Sequence, residues 1–319
     1  MQLNLIAPAS FRRRGASQDC HVFAACHRHP SSCLGLSMQF DEFSYANPSQ
    51  PRFKRWLIRS VEGLSGRNKY FALYNIWRNE IVPTGESVFG RMLELIDVQL
   101  GLAQQWPPKD LPEGPLVLVA NHPFGIGDGV AVLALAEKLG RPFKVLINND
   151  LMKIKEMEPY ALPVSFDETK EALALNMKTR HEAVRLLKAG VTIVVFPAGG
   201  VATARKVFGK AEDLPWKMFP AKLIQSAGAS VVPIHFAGQN GRLFHFVSRF
   251  SLTLRLSLLV REFGRLRGKS IGVTIGDMLP WAELSAIADR KVLLEMLYDA
   301  VFSLAPTEKS LLPFNRLRV

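Results

Sequence analysis

The chain has 319 residues, 48% hydrophobic and 21% charged, so it can bury one large core with a smaller lobe and is not disordered overall. A formal charge of +12 implies an anionic partner, either nucleic acid or membrane headgroups. No apolar, uncharged run reaches the roughly 18 residues of a spanning helix, and Cys20, Cys26 and Cys33 all precede the core, which excludes a disulfide framework there and points to a reducing compartment.

Residues 1–37 stand apart in composition. They carry Arg12-Arg13-Arg14, a serine-rich tract and a Cys/His cluster running from Cys20-His21 to Cys33. Both residue types ligate zinc, but the spacing matches no standard finger, and the Arg-rich stretch lacks the amphipathic period of a transit peptide. The segment reads as a disordered, dispensable extension, with the working chain beginning near Met38.

Residues 51–105 look helical, within an N-terminal region spanning 38–110. Phe53, Trp56, Leu57, Ile58, Tyr70, Phe71, Leu73, Tyr74, Ile76 and Trp77 are interleaved with Lys54, Arg55, Arg59, Arg67, Lys69 and Arg78. Such mixing suits a helix or helical pair at a bilayer surface, and equally an amphipathic packing helix with a solvated basic face. A further helix is expected over 88–102, ended by Trp106-Pro107-Pro108.

From Leu111 the pattern alternates. Strand 116–120 precedes a helix over 129–139 stopped by Gly140, then strand 143–148. A long helix over 167–189, stopped by Gly190, leads to strand 191–196. After a basic loop come a helix over 216–227 stopped by Gly228 and strand 230–235. Residues 250–261 alternate like a strand in their early half; a strand over 271–275 and a helix over 281–302 complete a domain spanning 111–305, before a tail over 306–319. Strands alternating with glycine-stopped helices predict an α/β fold, with a mostly parallel central sheet flanked by helices and an amphipathic helical segment in front.

The chemistry sits where the strand Leu116 to Ala120 ends. It runs into Asn121-His122, crosses a glycine-rich turn and reaches Asp128 as an Ala/Leu-rich helix begins. Carboxyl ends of strands form the ligand crevice of α/β folds. A histidine there, held at one ring nitrogen by a carboxylate, has the parts of an oriented general base. Two further blocks fall at expected strand ends: Phe196-Pro197-Ala198-Gly199-Gly200 and Val232-Pro233-Ile234.

In that order the blocks resemble the signature of the PlsC-like glycerolipid and lysophospholipid acyltransferase superfamily, closest to the bacterial branch of hemolysin-like and ornithine-lipid-type acyltransferases, over residues 40–300. The resemblance implies that His122 takes a proton from an acceptor as it attacks an acyl thioester, with Asp128 orienting the ring and stabilising its imidazolium. It also implies that Asn121, Phe196, Pro197, Gly199 and Gly200 shape the acceptor site, with backbone amides near an anionic headgroup or oxyanion. Pro215-Trp216-Lys217 resembles a further family element, so Lys217, with Arg205 and Lys206, would bind a phosphate or carboxylate.

Two departures stand out. Five residues, Pro123 to Gly127, separate His122 from Asp128, one more than the family's usual spacing. Gly125 and Gly127 are expected to absorb the extra residue as a bulge. Ala198 stands where the family has Glu, which points away from a glycerol-phosphate acceptor. The family's second-block arginine has no evident match in the segment from Asn148 to Pro163.

The implied activity moves an acyl chain from acyl-CoA or acyl carrier protein to a lyso-lipid, with no metal or redox cofactor. It would act peripherally on the cytoplasmic face of a membrane, with lipid rather than nucleic acid as partner; Phe124, Leu151 and Met152 are candidate pocket lining. A catalytically weak lipid-binding protein is the alternative. No third glycine follows Gly125 and Gly127 at position 130, which excludes a dinucleotide loop, and no Gly-x-Ser-x-Gly elbow occurs. His181, His235 and His245 read as surface or core residues.

Overall fold

The structure is a computed structural model that describes residues 67–306 except 109, 207–208 and 251, together with residue 52 and residues 315–317. The expected N-terminal extension, Phe53, Trp56, Leu57, Ile58 and the cations among them lie outside the described residues.

An eight-stranded sheet organises the rest, in the order β10-β1-β9-β8-β2-β5-β3-β4. Its strands are β1 (Val98–Leu102), β2 (Leu116–Ala120), β3 (Phe143–Asn148), β4 (Ala161–Val164), β5 (Thr192–Val195), β8 (Ser230–Ala237), β9 (Lys269–Ile275) and β10 (Asn315–Leu317). A two-residue pair, β6 (Thr203–Ala204) and β7 (Ala211–Glu212), forms a separate hairpin. The strands from β8 across to β4 run parallel, whereas β9 meets β8 antiparallel and pairs in parallel with β1. The predicted α/β class and mostly parallel sheet are what the fold shows.

The apolar runs are unbroken because both faces are covered. Leu116, Leu118 and Ala120 of β2 enter one core and Val117 and Val119 the other, and Val232, Ile234 and Phe236 of β8 likewise oppose Val231. On the first face lie α1 (Arg67–Ile76), α2 (Val88–Leu95) and α3 (Ile126–Glu137); on the second lie α4 (Lys170–Lys188), α5 (Phe219–Ala227) and α9 (Arg290–Phe302). A smaller cluster joins Val201 to α6 (Arg242–Ser248) and α7 (Leu252–Gly264) through Phe244, Leu258 and Leu259.

Several boundaries differ from the sequence reading, each for a physical reason. The helix expected over 88–102 is α2 followed by β1, because Asp97 turns the chain at φ 56 and Val98, Leu100 and Leu102 then alternate into the sheet. Residues 252–264 are helical, including the early half of 250–261 that alternates like a strand in sequence. Arg255, Leu258, Leu259 and Glu262 are buried at helical spacing, and the apolar alternation misled because Arg255 and Ser257 are inside. The helix expected over 281–302 is two, α8 (Trp281–Leu284) and α9, the second restarted where Asp289 accepts the N–H groups of Lys291 and Val292. Thr169 caps α4 in the same way, three residues later than expected. Strand β4 occupies part of the segment that carried no recognisable motif.

Phe71, Tyr74 and Trp77 turn inward, and Tyr74 and Trp77 belong to the first core. In this stretch the packing role governs those aromatics. No helix among the described residues is long and apolar enough to cross a membrane.

Candidate active site

Strands β2 and β5 are neighbours, yet the next helices flanking the sheet, α3 after β2 and α5 after β5, lie on opposite faces. Chains that part in this way leave a crevice at the carboxyl edge of the sheet. His122 and Phe196 meet there, their rings 4.2 Å apart and tilted 31°.

The turn between His122 and Asp128 works differently from the symmetric glycine bulge expected. Gly125 alone adopts the unusual backbone, φ 82, and caps α3, so the helix begins at Ile126. Gly127 is already helical; what it supplies is room, since a Cβ there would come within 2.4 Å of Leu266 Cδ1. Asp128 consequently falls in the first helical turn, where the dipole favours a carboxylate. Its Oδ2 accepts the Phe124 N–H at 2.7 Å, and its Oδ1 lies 2.9 Å from His122 Nδ1. Those last two atoms have no other partner, and their approach is not that of a well-aligned hydrogen bond. Long or oblique catalytic contacts are usual before substrate binds.

Asp128 is fully buried, while the His122 side chain keeps 17% of its surface exposed. Burial of the ring pulls its pKa down, but the charge and contact of Asp128, then the charge of Asp213, outweigh that and hold it above the ordinary 6.5. Arg255 acts weakly in the opposite direction.

Asp213 escaped the sequence reading. Its Oδ1 accepts the His122 backbone N–H at 3.2 Å and its Oδ2 the Trp216 indole N–H at 3.1 Å. The only available signal was an acid two positions before Pro215-Trp216-Lys217. Its own carboxyl is raised by burial, with Trp216 and His122 partly pulling it back.

The other expected residues divide into braces and exposed cations. Asn121 uses both ends of its amide on β8, donating to Phe236 O at 3.0 Å and accepting its N–H at 2.7 Å, so it pins the end of β2. Gly199 donates its N–H to Phe196 O at 3.0 Å, which closes the Phe-Pro-Ala-Gly-Gly turn, and Pro197 O accepts from Lys217 N at 2.9 Å. That Gly199 amide is therefore spent within the turn. A Cβ on Gly200 would meet Leu214 at 2.9 Å, so this glycine provides close packing. Arg205, Lys206 and Lys217 are exposed, and Arg205 lies 3.6 Å from Glu212 in a solvent-exposed pair of little energetic weight. Val232-Pro233-Ile234 lies inside β8 rather than at its end. Phe124 is buried against Gly238, while Leu151 and Met152 form a short 3-10 turn after β3.

Helix α7 braces the crevice from beneath. Arg255 donates to Val201 O, and Glu262 accepts the Gly241 N–H at 2.6 Å, so one helix ties the loops that follow β5 and β8. The Ala202 N–H in turn donates to His122 O at 2.8 Å. Together these parts can hold an imidazole with one nitrogen against a carboxylate and its partly open ring at a sheet edge, the arrangement of a general base.

Compared with known proteins, residues 105–305 match the model of the acyltransferase family. Over 212 residues the chain is 30% identical to the lyso-glycine lipid O-acyltransferase of Bacteroides thetaiotaomicron, an overlap of 61% of this chain and 72% of the relative. A lyso-glycine lipid O-acyltransferase of Phocaeicola vulgatus is 27% identical over 209 residues, covering 61% and 71% respectively.

Proposed function

The chain belongs to the acyltransferase family and is an O-acyltransferase; from that premise we propose that it esterifies a free hydroxyl of a lyso-lipid with a fatty acyl group taken from a thioester. The observation that carries the mechanism is the His122 Nδ1 to Asp128 Oδ1 approach of 2.9 Å at the end of β2. With Nδ1 facing Asp128, Nε2 accepts the hydroxyl proton as the oxygen attacks the thioester carbonyl. The carbon–sulfur bond then breaks, the ester forms, and the departing thiolate takes the proton from the imidazolium. Asp128 holds the ring and offsets its transient positive charge. Asp213 adds a second negative charge and fixes the backbone of His122.

Two features support a lyso-lipid with an amino-acid headgroup as acceptor. The relatives in two organisms carry the name lyso-glycine lipid O-acyltransferase. Ala198 also removes the Glu by which the resemblance would have marked a glycerol-phosphate acceptor. The donor is acyl-CoA or acyl carrier protein, whose phosphates or acidic surface suit the exposed Arg205, Lys206 and Lys217. The enzyme works peripherally, at the cytoplasmic face of a membrane.

Incubating the purified full chain with lyso-glycine lipid or lysophospholipid, and with each donor in turn, tests the proposal by mass spectrometry of the lipid and titration of released thiol. Expected is one added acyl ester per thiol released, faster on the lyso-glycine lipid. Absence of product from every acceptor and donor pair overturns it.

A further inference from the structure

Helix α6 presents two unlike faces. Phe244 and His245 are fully buried, Phe244 among Val201, Leu258 and Leu259, while His245 Nδ1 accepts the Ala204 N–H at 3.3 Å. The opposite face carries Leu243, Phe246 and, one turn on, Phe250, exposed at 44%, 47% and 72%. The rings of Phe246 and Phe250 pair with centroids 5.1 Å apart. Arg242 and Arg249, both exposed, flank this apolar strip.

The strip lies beside the crevice. Helix α6 follows the carboxyl end of β8, on the same edge as the end of β2, and Asn240, just before it, donates to Phe124 O at 3.5 Å. Its buried face rests on β6, which continues from the Phe-Pro-Ala-Gly-Gly turn.

We propose that this face of α6 is the surface by which the enzyme docks on an anionic lipid bilayer, placing Leu243, Phe246 and Phe250 among the acyl chains and Arg249 among the phosphates. The proposal rests on the reading that the acceptor is a membrane lipid. Exposed large apolar side chains with cations at the margin are what an interfacial helix needs, and the chain's +12 charge complements the bilayer. A second copy of the chain fits less well, because a two-fold contact on this strip sets arginine near arginine. Docking here brings a lyso-lipid to the edge where His122 stands, with no need for it to leave the membrane fully.

The test is flotation of the full chain with phosphatidylglycerol vesicles and with neutral phosphatidylcholine vesicles. The variants are Phe246→Ser with Phe250→Ser, and separately Arg249→Glu. Acylation of a short-chain, water-dispersed lyso-lipid is followed in parallel, with sedimentation to report oligomeric state. Wild type floats on anionic vesicles; the double variant partitions about tenfold more weakly and Arg249→Glu loses the preference for anionic over neutral lipid. Turnover on the dispersed acceptor persists. If the paired serines perturb folding, the charge reversal at the exposed Arg249 still decides. Flotation equal to wild type in both variants overturns the proposal, as does a dimer that becomes a monomer while flotation persists. A wild type that acylates the dispersed acceptor yet never floats also overturns it, leaving the acyl-transfer reading intact; α6-dependent flotation with no acylation of any acceptor does the reverse.

Discussion

The two edges of the central sheet treat their charged groups in opposite ways. At the amino edge of β3 and β5, Arg141 donates to Gly190 O at 2.8 and 3.1 Å, to Pro112 O at 3.0 Å and to Gly114 O at 3.2 Å. Beside it Glu137, at the end of α3, accepts the N–H groups of Phe89 and Gly90 at 3.0 to 3.1 Å and so caps α2. Those groups are spent on backbone. At the carboxyl edge His122 Nδ1 and Asp128 Oδ1 have only each other, and His235 Nδ1 and His245 Nε2 are buried without a hydrogen-bond partner. Among the described residues, one edge saturates its charged groups and fastens the chain, although the hydroxyl of Thr192 at the start of β5 is buried there without a partner; the other leaves an imidazole–carboxylate pair and two further imidazoles under-satisfied, at a cost in stability of the kind active sites carry.

This contrast is broken most forcefully at His122, the proposed base. His122→Ala is expected to lower kcat by about a thousandfold, the scale of a lost general base, while the melting temperature moves by less than about 4 °C. Steady-state kinetics beside thermal unfolding reads both; a large melting shift would mean that this edge too is structural. Asp128→Asn comes next, with about a hundredfold loss in kcat. The amide oxygen can still take the Phe124 N–H, so what disappears is the charge facing the imidazolium. An undiminished kcat would show that Asp128 serves only to hold the Phe124 backbone at the turn before α3.

The same contrast explains what could be read from the chain. Strands β2 and β3 match their expected bounds because each is a short apolar run, and His122 and Asp128 sit on one local excursion where spacing carries the information. Asp213 was illegible because its partner is the backbone N–H of His122, 91 positions away. The early half of α7 alternates like a strand in sequence because Arg255 and Ser257 interrupt its leucines. Patterning assigns such residues to solvent, and only the fold shows Arg255 inside and bonded to Val201 O. Strand β1 was hidden by continuity with α2, since the break is made by the backbone of Asp97 rather than by glycine or proline.

At the amino edge the expected effect is smaller and of the other kind. Glu137→Ala removes the acceptor for two N–H groups at the start of α2, and should cost about 2 kcal/mol of unfolding free energy by denaturant titration. Turnover per folded molecule is expected to stay at the wild-type value. A fall in kcat without a fall in stability would mean that the two edges are coupled, against the division drawn above.

Asp213 sharpens the contrast most finely, because at the carboxyl edge it both braces the His122 backbone and raises the pKa of the imidazole proposed as base. The folded-state pKa of His122 lies above 6.5: burial lowers it, but Asp128 and then Asp213 raise it further. A general base works neutral, so kcat/KM should fall as pH drops through that raised value. Asp213→Asn removes one of the raising charges and keeps an oxygen to accept either the His122 N–H or the Trp216 indole, so the acid limb should move to lower pH. A residue that only braces would lower kcat/KM at every pH and leave the limb where it stands. Asp213→Ala, which removes charge and acceptor together, should combine that movement with a drop in the plateau, and the difference between the two variants separates the electrostatic part from the mechanical one.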